Sequence, residues 1–302
     1  MALVHAAKKR IFDRYFSWCL NEFSAHQLIA LDYRVDPRPR FGYGKPAHPQ
    51  LESLFESAKI RFSIWISTIK EHSDDLLRIA QQAEQQSYQP TFRNGWFLGL
   101  DAAAYYCIVS EAKPKTLIEI GSGNSTKFAR RAIRDRSPNT RLISIDPAPR
   151  TDVAAICDEA HRVPLEKADL VVFDKLRSGD ILFLDNSHRS FTNSDVTIFF
   201  LEILPSLPPG VIIHLHDIFL PFDYPPEWRE RYYSEQYLLA SWLLADPGKL
   251  DLLFSSAFIS MDAALSTELA PFWDHPRFDS ARKQAEDVMR PYKGYSFWAT
   301  TA

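Results

Sequence analysis

Hydrophobic positions change their spacing near residue 90. Upstream, Leu51, Leu54, Phe55, Ala58, Phe62, Trp65 and Ile69 recur every three or four residues, and Leu76, Ile79 and Ala83 continue the stripe. That period is one face of an α-helix, so Leu51–Gln86 reads as one or two amphipathic helices. A mixed helical period also runs over Ile11–Leu31. Between the two, Asp36–Gln50 holds Pro37, Pro39, Pro46 and Pro49 beside Gly42 and Gly44, which predicts a loop or linker. Residues 1–90 therefore read as a helical N-terminal extension, a cap or an oligomerisation element through which a homodimer would form.

Downstream, short apolar runs alternate with helical periods. A loop at Asn94 enters a helix over Leu100–Val109, followed by a strand at Thr116–Ile120, a helix over Ser125–Asp135 and a strand at Arg141–Ile145. Weaker signals place a helix or turn at Val153–Glu159, a short strand at Arg162–Val163 and a helix or turn at Lys167–Arg177. Strand Ile181–Leu184, helix Ser194–Leu204 and strand Val211–Leu215 come next. An aromatic loop (Ile218–Glu230), a helix (Ser234–Leu244), a strand (Leu250–Ser260), a helical excursion near Asp279–Arg290 and a closing strand (Tyr295–Thr300) complete the chain. Strands alternating with helices over residues 91–302 predict one α/β domain with a mostly parallel sheet.

Composition narrows the function classes. With 35 Lys+Arg against 38 Asp+Glu and a pI near 6.3, the chain carries no electrostatic footprint for nucleic acid or an anionic membrane. No run of 18 uncharged apolar residues predicts a membrane span. Cys19, Cys107 and Cys157 are far apart and form no CxxC pair, so they read as free thiols of a cytoplasmic protein. Lys8, Lys9 and Arg10 are followed by Asp13 and Arg14, which break any signal-peptide core.

Two of only 10 glycines stand together at Gly121 and Gly123, between a predicted strand and a predicted helix. Residues without Cβ let a ligand approach the backbone, and the adjoining helix start offers free N–H groups. A dinucleotide would want a third glycine where Thr126 stands, and Glu119 would oppose its pyrophosphate. Glu119 suits a ligand with an ammonium group, such as S-adenosylmethionine (SAM), which carries no phosphate. Asp146 ends the next strand, 23 residues past Gly123, where an acid can hold both ribose hydroxyls.

Glu119-Ile-Gly-Ser-Gly-Asn-Ser-Thr126 with Ile145-Asp146 resembles motif I and the following acidic strand end of class I SAM-dependent methyltransferases. The likeness spans roughly Asn94 to the C-terminus. It implies a Rossmann-like, seven-stranded, mostly parallel sheet whose last strand, here Tyr295–Thr300, is antiparallel. It also implies that Glu119, Gly121, Ser122, Gly123, Ser125, Asp146 and Asp185 bind the cofactor.

A second constellation follows the fourth and fifth strands of that sheet: Asp185 and His188, then His216 and Asp217. Ligands of parallel sheets bind at the carboxyl ends of the strands, so these four should meet beside the reacting methyl group. Two converging carboxylates repel unless protonated or bridged by a cation, and Mg²⁺ held by Asp185 and Asp217, with His216 as a further ligand, is one answer. The acidic strand ends resemble metal-dependent O-methyltransferases of the catechol type, although Ile218 stands where another ligand would be expected. His188 is the alternative, a general base for a hydroxyl acceptor, and Asp-x-x-His resembles a broad bacterial methyltransferase group. His214, inside its strand, reads as a core histidine. The Phe219–Trp228 loop is either a lid or a wall packed on the N-terminal region. The function read here is SAM-dependent methyl transfer to a hydroxyl of a small molecule or sugar-like substrate. An NAD-dependent oxidoreductase and a non-catalytic SAM-binding or assembly protein are the competing readings.

Overall fold

Among the described residues, seven short strands pair into one sheet, in the spatial order 159–161, 141–145, 116–120, 181–184, 212–215, 297–301 and 250–255. The computed structural model describes residues 35–82, 88–149 and 153–302, with Ile11, Arg14, Tyr15, Trp18 and Tyr33. The helical period expected over residues 12–31 falls largely outside these, as do Cys19 and Ala83. The chain divides into two compact units, Met1–Arg38 and Pro39–Ala302. In the first, Arg38 Nε donates to Asp36 Oδ1 over 3.0 Å.

The sheet is built from β1 (Thr116–Ile120), β2 (Arg141–Ile145), β3 (Glu159–His161), β4 (Ile181–Leu184), β5 (Ile212–Leu215), β6 (Leu250–Ser255) and β7 (Phe297–Thr301). The first five are parallel, and β7 runs antiparallel between β5 and β6. Every residue of β4 is buried, which is why it reads as a continuous apolar run without alternation. β3 lies at the edge, three residues before its expected start, and pairs only with β2. β6 is shorter than its apolar pattern suggests, because Ser255 caps the helix that begins at Ser256 and ends the strand there.

Helices cover the sheet. α1 (Pro49–Ser57), α2 (Lys59–Glu71) and α3 (Ser73–Ala80) break the Leu51–Gln86 stripe into three. Of the predicted face, Leu51, Phe55, Ala58, Phe62 and Ile69 are buried and Leu54 and Trp65 half-buried, while Ile66, outside that stripe, is buried as well. Phe55 and Phe62 pack on Phe258 with ring centroids 5.5 and 5.8 Å apart, and Phe55 also reaches Phe297 of β7. α4 (Gly99–Ala112) and α5 (Asn124–Arg136) flank β1 in sequence. α6 starts at Asp195–Ile198, passes through a π-helical stretch at Phe199–Ile203 and ends at Leu204–Ser206. α7 (Glu235–Ala245), α8 (Ser256–Met261), α9 (Ala263–Trp273) and α10 (Asp279–Met289) follow. The β6–β7 excursion is thus more helical than its sequence suggested, since α9 with its internal Pro271 was not expected.

Register fixes where chemistry can occur. Ile120 pairs with Ile145 and Leu184, Leu184 with Leu215, and Leu215 with Phe297. The residues just past β1, β2, β4 and β5, and just before β7, therefore share one edge. Beneath that edge, aromatic rings stack. Phe183 lies between Tyr105 (4.5 Å) and His214 (3.9 Å, 7° between planes), and Trp298 stands 4.5 Å from His214. Phe183→Ala would open a cavity in this stack. Urea unfolding should show a loss of about 3–5 kcal/mol; a loss below about 1 kcal/mol would mean that the stack does not carry the sheet.

Candidate functional site: a cleft and a charged cluster at the strand ends

The first half of the site is the loop after β1. Gly121 has φ +78°, and a Cβ there would stand 1.8 Å from the Asp185 carbonyl oxygen. This glycine is therefore required by the chain itself: the loop passes directly over the end of β4, and Asp185 N donates to Ile120 O. Gly123 differs, since a Cβ there would meet nothing within 4 Å. It faces a cleft lined by Trp96, Phe97, Ser122, Gly123, Asn124, Ser125 and Asp185, beside the first turn of α5.

Two carboxylates at the ends of β1 and β2 differ in how they are engaged. Asp146 is already engaged: Ser122 N donates to its Oδ2 (2.7 Å) and Ala148 N to its Oδ1 (2.8 Å), which fixes the group at the end of β2. Glu119 is fully buried in β1. Its Oε1 accepts from the Tyr105 hydroxyl at 2.8 Å, but its Oε2 has no hydrogen-bond partner. Burial pushes the Glu119 carboxyl up to about 7, although the Thr126, Tyr105 and Ser125 hydroxyls favour the ionised form. Because this folded-state value lies above the usual 4.5, Glu119 adds stability below pH 4.5 that is lost as pH rises through 7. A buried carboxylate oxygen without a donor is what an ammonium group would satisfy.

The second half is a charged cluster past β4 and β5. Asp185, His188, His216 and Asp217 come together as their sequence spacing predicted, and the imidazoles lie between the acids. His188 Nε2 is 3.4 Å from both Asp185 Oδ1 and Asp217 Oδ2. His216 Nδ1 is 3.6 Å from Asp185 Oδ1 and 3.3 Å from Asp217 Oδ1. Burial alone would lower both histidine pKa values, but the carboxylates outweigh it and hold His188 and His216 well above the usual range. Asp185 is correspondingly held well below the carboxylate range, burial opposing and the two histidines prevailing. Two imidazole rings, both drawn toward their protonated forms, thus lie between the acids. Among the described residues no three His, Cys, Asp or Glu side chains are arranged to hold a metal ion.

Supports for this cluster come from distant elements. Glu235, at the start of α7, places Oε2 2.9 Å from His188 Nδ1, while Asn186 donates to its Oε1. Nothing in the sequence singled out Glu235, because a glutamate in the first turn of a helix is ordinary dipole chemistry. Asp101, in α4, accepts backbone N–H bonds from Tyr295 and Ser296 and stands 3.5 Å from His216 Nε2. His188 (φ +59°) and Asp217 (φ +56°) both adopt the left-handed conformation, rare for non-glycine residues and common at functional sites.

Neighbouring residues form walls. His214 lies within β5, its Nε2 2.8 Å from Ser296 Oγ, and burial with its neighbour His216 keeps it neutral. The Phe219–Trp228 loop is a fixed wall: Asp223 accepts from Arg40 and Phe41 N–H groups, and Phe219 packs against Trp228, Tyr292 and Tyr295. Trp96 is 62% exposed at the mouth of the cleft, on a turn that Asn94 fixes through both ends of its side-chain amide.

Histidine side-chain NMR at pH 7.5 should find His188 and His216 doubly protonated and His214 neutral. Asp217→Asn removes a charge that raises both, so their titrations should move to lower pH. Neutral rings at pH 7.5 in the native protein would contradict the imidazolium bridge.

Residues 118–218 match the family model described as a methyltransferase domain. No curated protein matches the chain. Among solved structures, an O-methyltransferase from Bacillus cereus solved with S-adenosylhomocysteine (SAH) is 13% identical, with a TM-score of 0.40 over 78% of this chain and 91% of that one. The SAH-bound Podospora anserina methyltransferase PaMTH1 is 18% identical, with a TM-score of 0.37 over 62% and 82%. The O-methyltransferase TomG from Streptomyces achromogenes, involved in tomaymycin synthesis, is 15% identical, with a TM-score of 0.32 over 66% and 78%. Residues 118–218, which hold the β1 motif and strands β2 to β5, thus match a methyltransferase domain, set in a seven-stranded sheet whose β7 is antiparallel.

Proposed function

We propose that this domain transfers the SAM methyl group to a hydroxyl of a small acceptor. The observation that carries the reading is the fully buried Glu119, whose Oε2 has no hydrogen-bond partner, in the strand that leads into the loop opening onto the cleft at Gly123. Glu119 would receive the cofactor's ammonium, Asp146 its ribose hydroxyls, and Ser122, Gly123 and Ser125 its approach along the cleft. When bound, SAM supplies an electrophilic methyl group on a sulfonium.

The chain must then manage one proton and several charges. Asp185 lines the cleft and is partly exposed, so its carboxylate faces the side where a cation and an acceptor would sit. His188, turned by Glu235 and lying between Asp185 and Asp217, is the group we assign as base. It rests as the imidazolium and accepts the acceptor's proton only after losing its own. Activity should therefore rise with pH on a limb above the ordinary histidine range. Asp217→Asn should move that limb to lower pH, and His188→Asn should cut kcat by about 10²–10⁴ while SAH affinity stays within about threefold. Retained turnover in His188→Asn would remove His188 from the mechanism.

Cofactor binding has its own signature. At pH 6 Glu119 holds a proton in the free protein, and an arriving ammonium would expel it. Titration calorimetry in buffers of different ionisation enthalpy should register release of about one proton per SAM bound. Glu119→Gln should release none and bind SAM more weakly by about tenfold or more. Binding of NAD without SAM or SAH would refute the function itself.

A further inference from the structure

A cavity of about 580 Å³ lies among α8, α9, α10 and the segment before β7, its wall including Ser260, Ser266, Thr267, Trp273, Asp274 and Lys293. None of its lining residues belongs to the charged cluster or to the cofactor cleft. Its size suits a small ligand.

Lys293 sets the chemistry of this cavity. Its backbone is fixed at both ends: the N–H donates to Ser260 Oγ (2.8 Å), and the carbonyl accepts from Leu100 N (2.8 Å) at the start of α4. Its ammonium donates to Ser266 Oγ (2.7 Å) and lies 5.8 Å from the centre of the Trp273 ring. Among the described residues no carboxylate forms an ion pair with it. The other cation of the wall, Arg290, is paired with Glu286 at 3.1 Å. Burial draws the Lys293 pKa below the usual lysine range, with Asp274 and Glu286 opposing. A half-buried ammonium bonded to one hydroxyl and an aromatic ring, with Asp274 and Glu286 in the same wall but not ion-paired to it, is an incomplete site, and a carboxylate or phosphate oxygen would complete it.

The rest of the wall decides between those two. Asp274 and Glu286 both line the cavity, so a polyanion placed on Lys293 would meet two carboxylates. Ala263, Ala270 and Pro291 give the remaining surface an apolar character that inorganic phosphate could not use. We propose that this cavity binds a small organic monocarboxylate, with its anionic group on Lys293 Nζ and its apolar body against the alanine- and proline-lined wall.

Benzoate, its neutral isostere benzamide, and inorganic phosphate test the proposal on the intact protein. Ligand-observed NMR titration should show saturable benzoate binding, with benzamide and phosphate each weaker by about tenfold or more. Lys293→Gln should weaken benzoate by about tenfold, leave benzamide unchanged, and retain the native melting temperature and SAH affinity. The proposal fails if benzoate and benzamide bind equally, if phosphate binds more tightly than benzoate, or if Lys293→Gln keeps native benzoate affinity. It also fails if benzoate does not bind up to about 20 mM, a concentration at which even a contact worth about 3 kcal/mol would register.

Discussion

Mutual bridging of carboxylates and imidazoles is the constraint around which this molecule is organised. Asp185 and Asp217 arrive at one place because β4 and β5 are adjacent and in register. Two such charges, largely withdrawn from water, would repel strongly without compensation. His188 and His216 supply it, each within 3.6 Å of both acids. Several local features serve that arrangement. The left-handed backbone at His188 and Asp217 aims the side chains inward, α7 brings Glu235 behind one ring, and α4 brings Asp101 behind the other.

Much of the fold was legible because buried strands and amphipathic helices write their period into the sequence. β1, β2 and β4 lie where their apolar runs place them. β3 was misplaced because an edge strand pairs on one side only and needs no apolar run; Glu159-Ala-His161 carries no such signal. The end of β6 was hidden because apolar residues continue from strand into helix, so that only the capping Ser255 marks the change. α9 has a helical spacing in Leu265, Leu269 and Phe272, obscured by Pro271 and by the overextended strand before it.

The site was legible in its members but not in its physics. Sequence spacing brings Asp185, His188, His216 and Asp217 to one edge, yet it cannot say that the two rings lie between the acids. Glu235 left no mark at all, since its importance comes only from where α7 docks. The two glycines of the β1 loop read alike in sequence and differ in structure. Gly121 makes room for the protein's own backbone, and Gly123 opens onto the cleft. Contact between the loop and the Asp185 carbonyl also joins the two halves of the site, so neither half can shift without the other.

The threading of β7 between β5 and β6 has a consequence for how the enzyme comes into being. A ribosome delivers Asp101, Glu119 and His188 well before Tyr295 and Ser296. Until those two amides emerge, the Asp101 carboxylate lacks the donors that fix it behind His216. β5 and β6 likewise wait for the strand that joins them, a closure spanning more than 80 residues of chain. A nascent polypeptide can thus form the loop after β1 early but completes the charged cluster at the strand ends only once β7 has emerged.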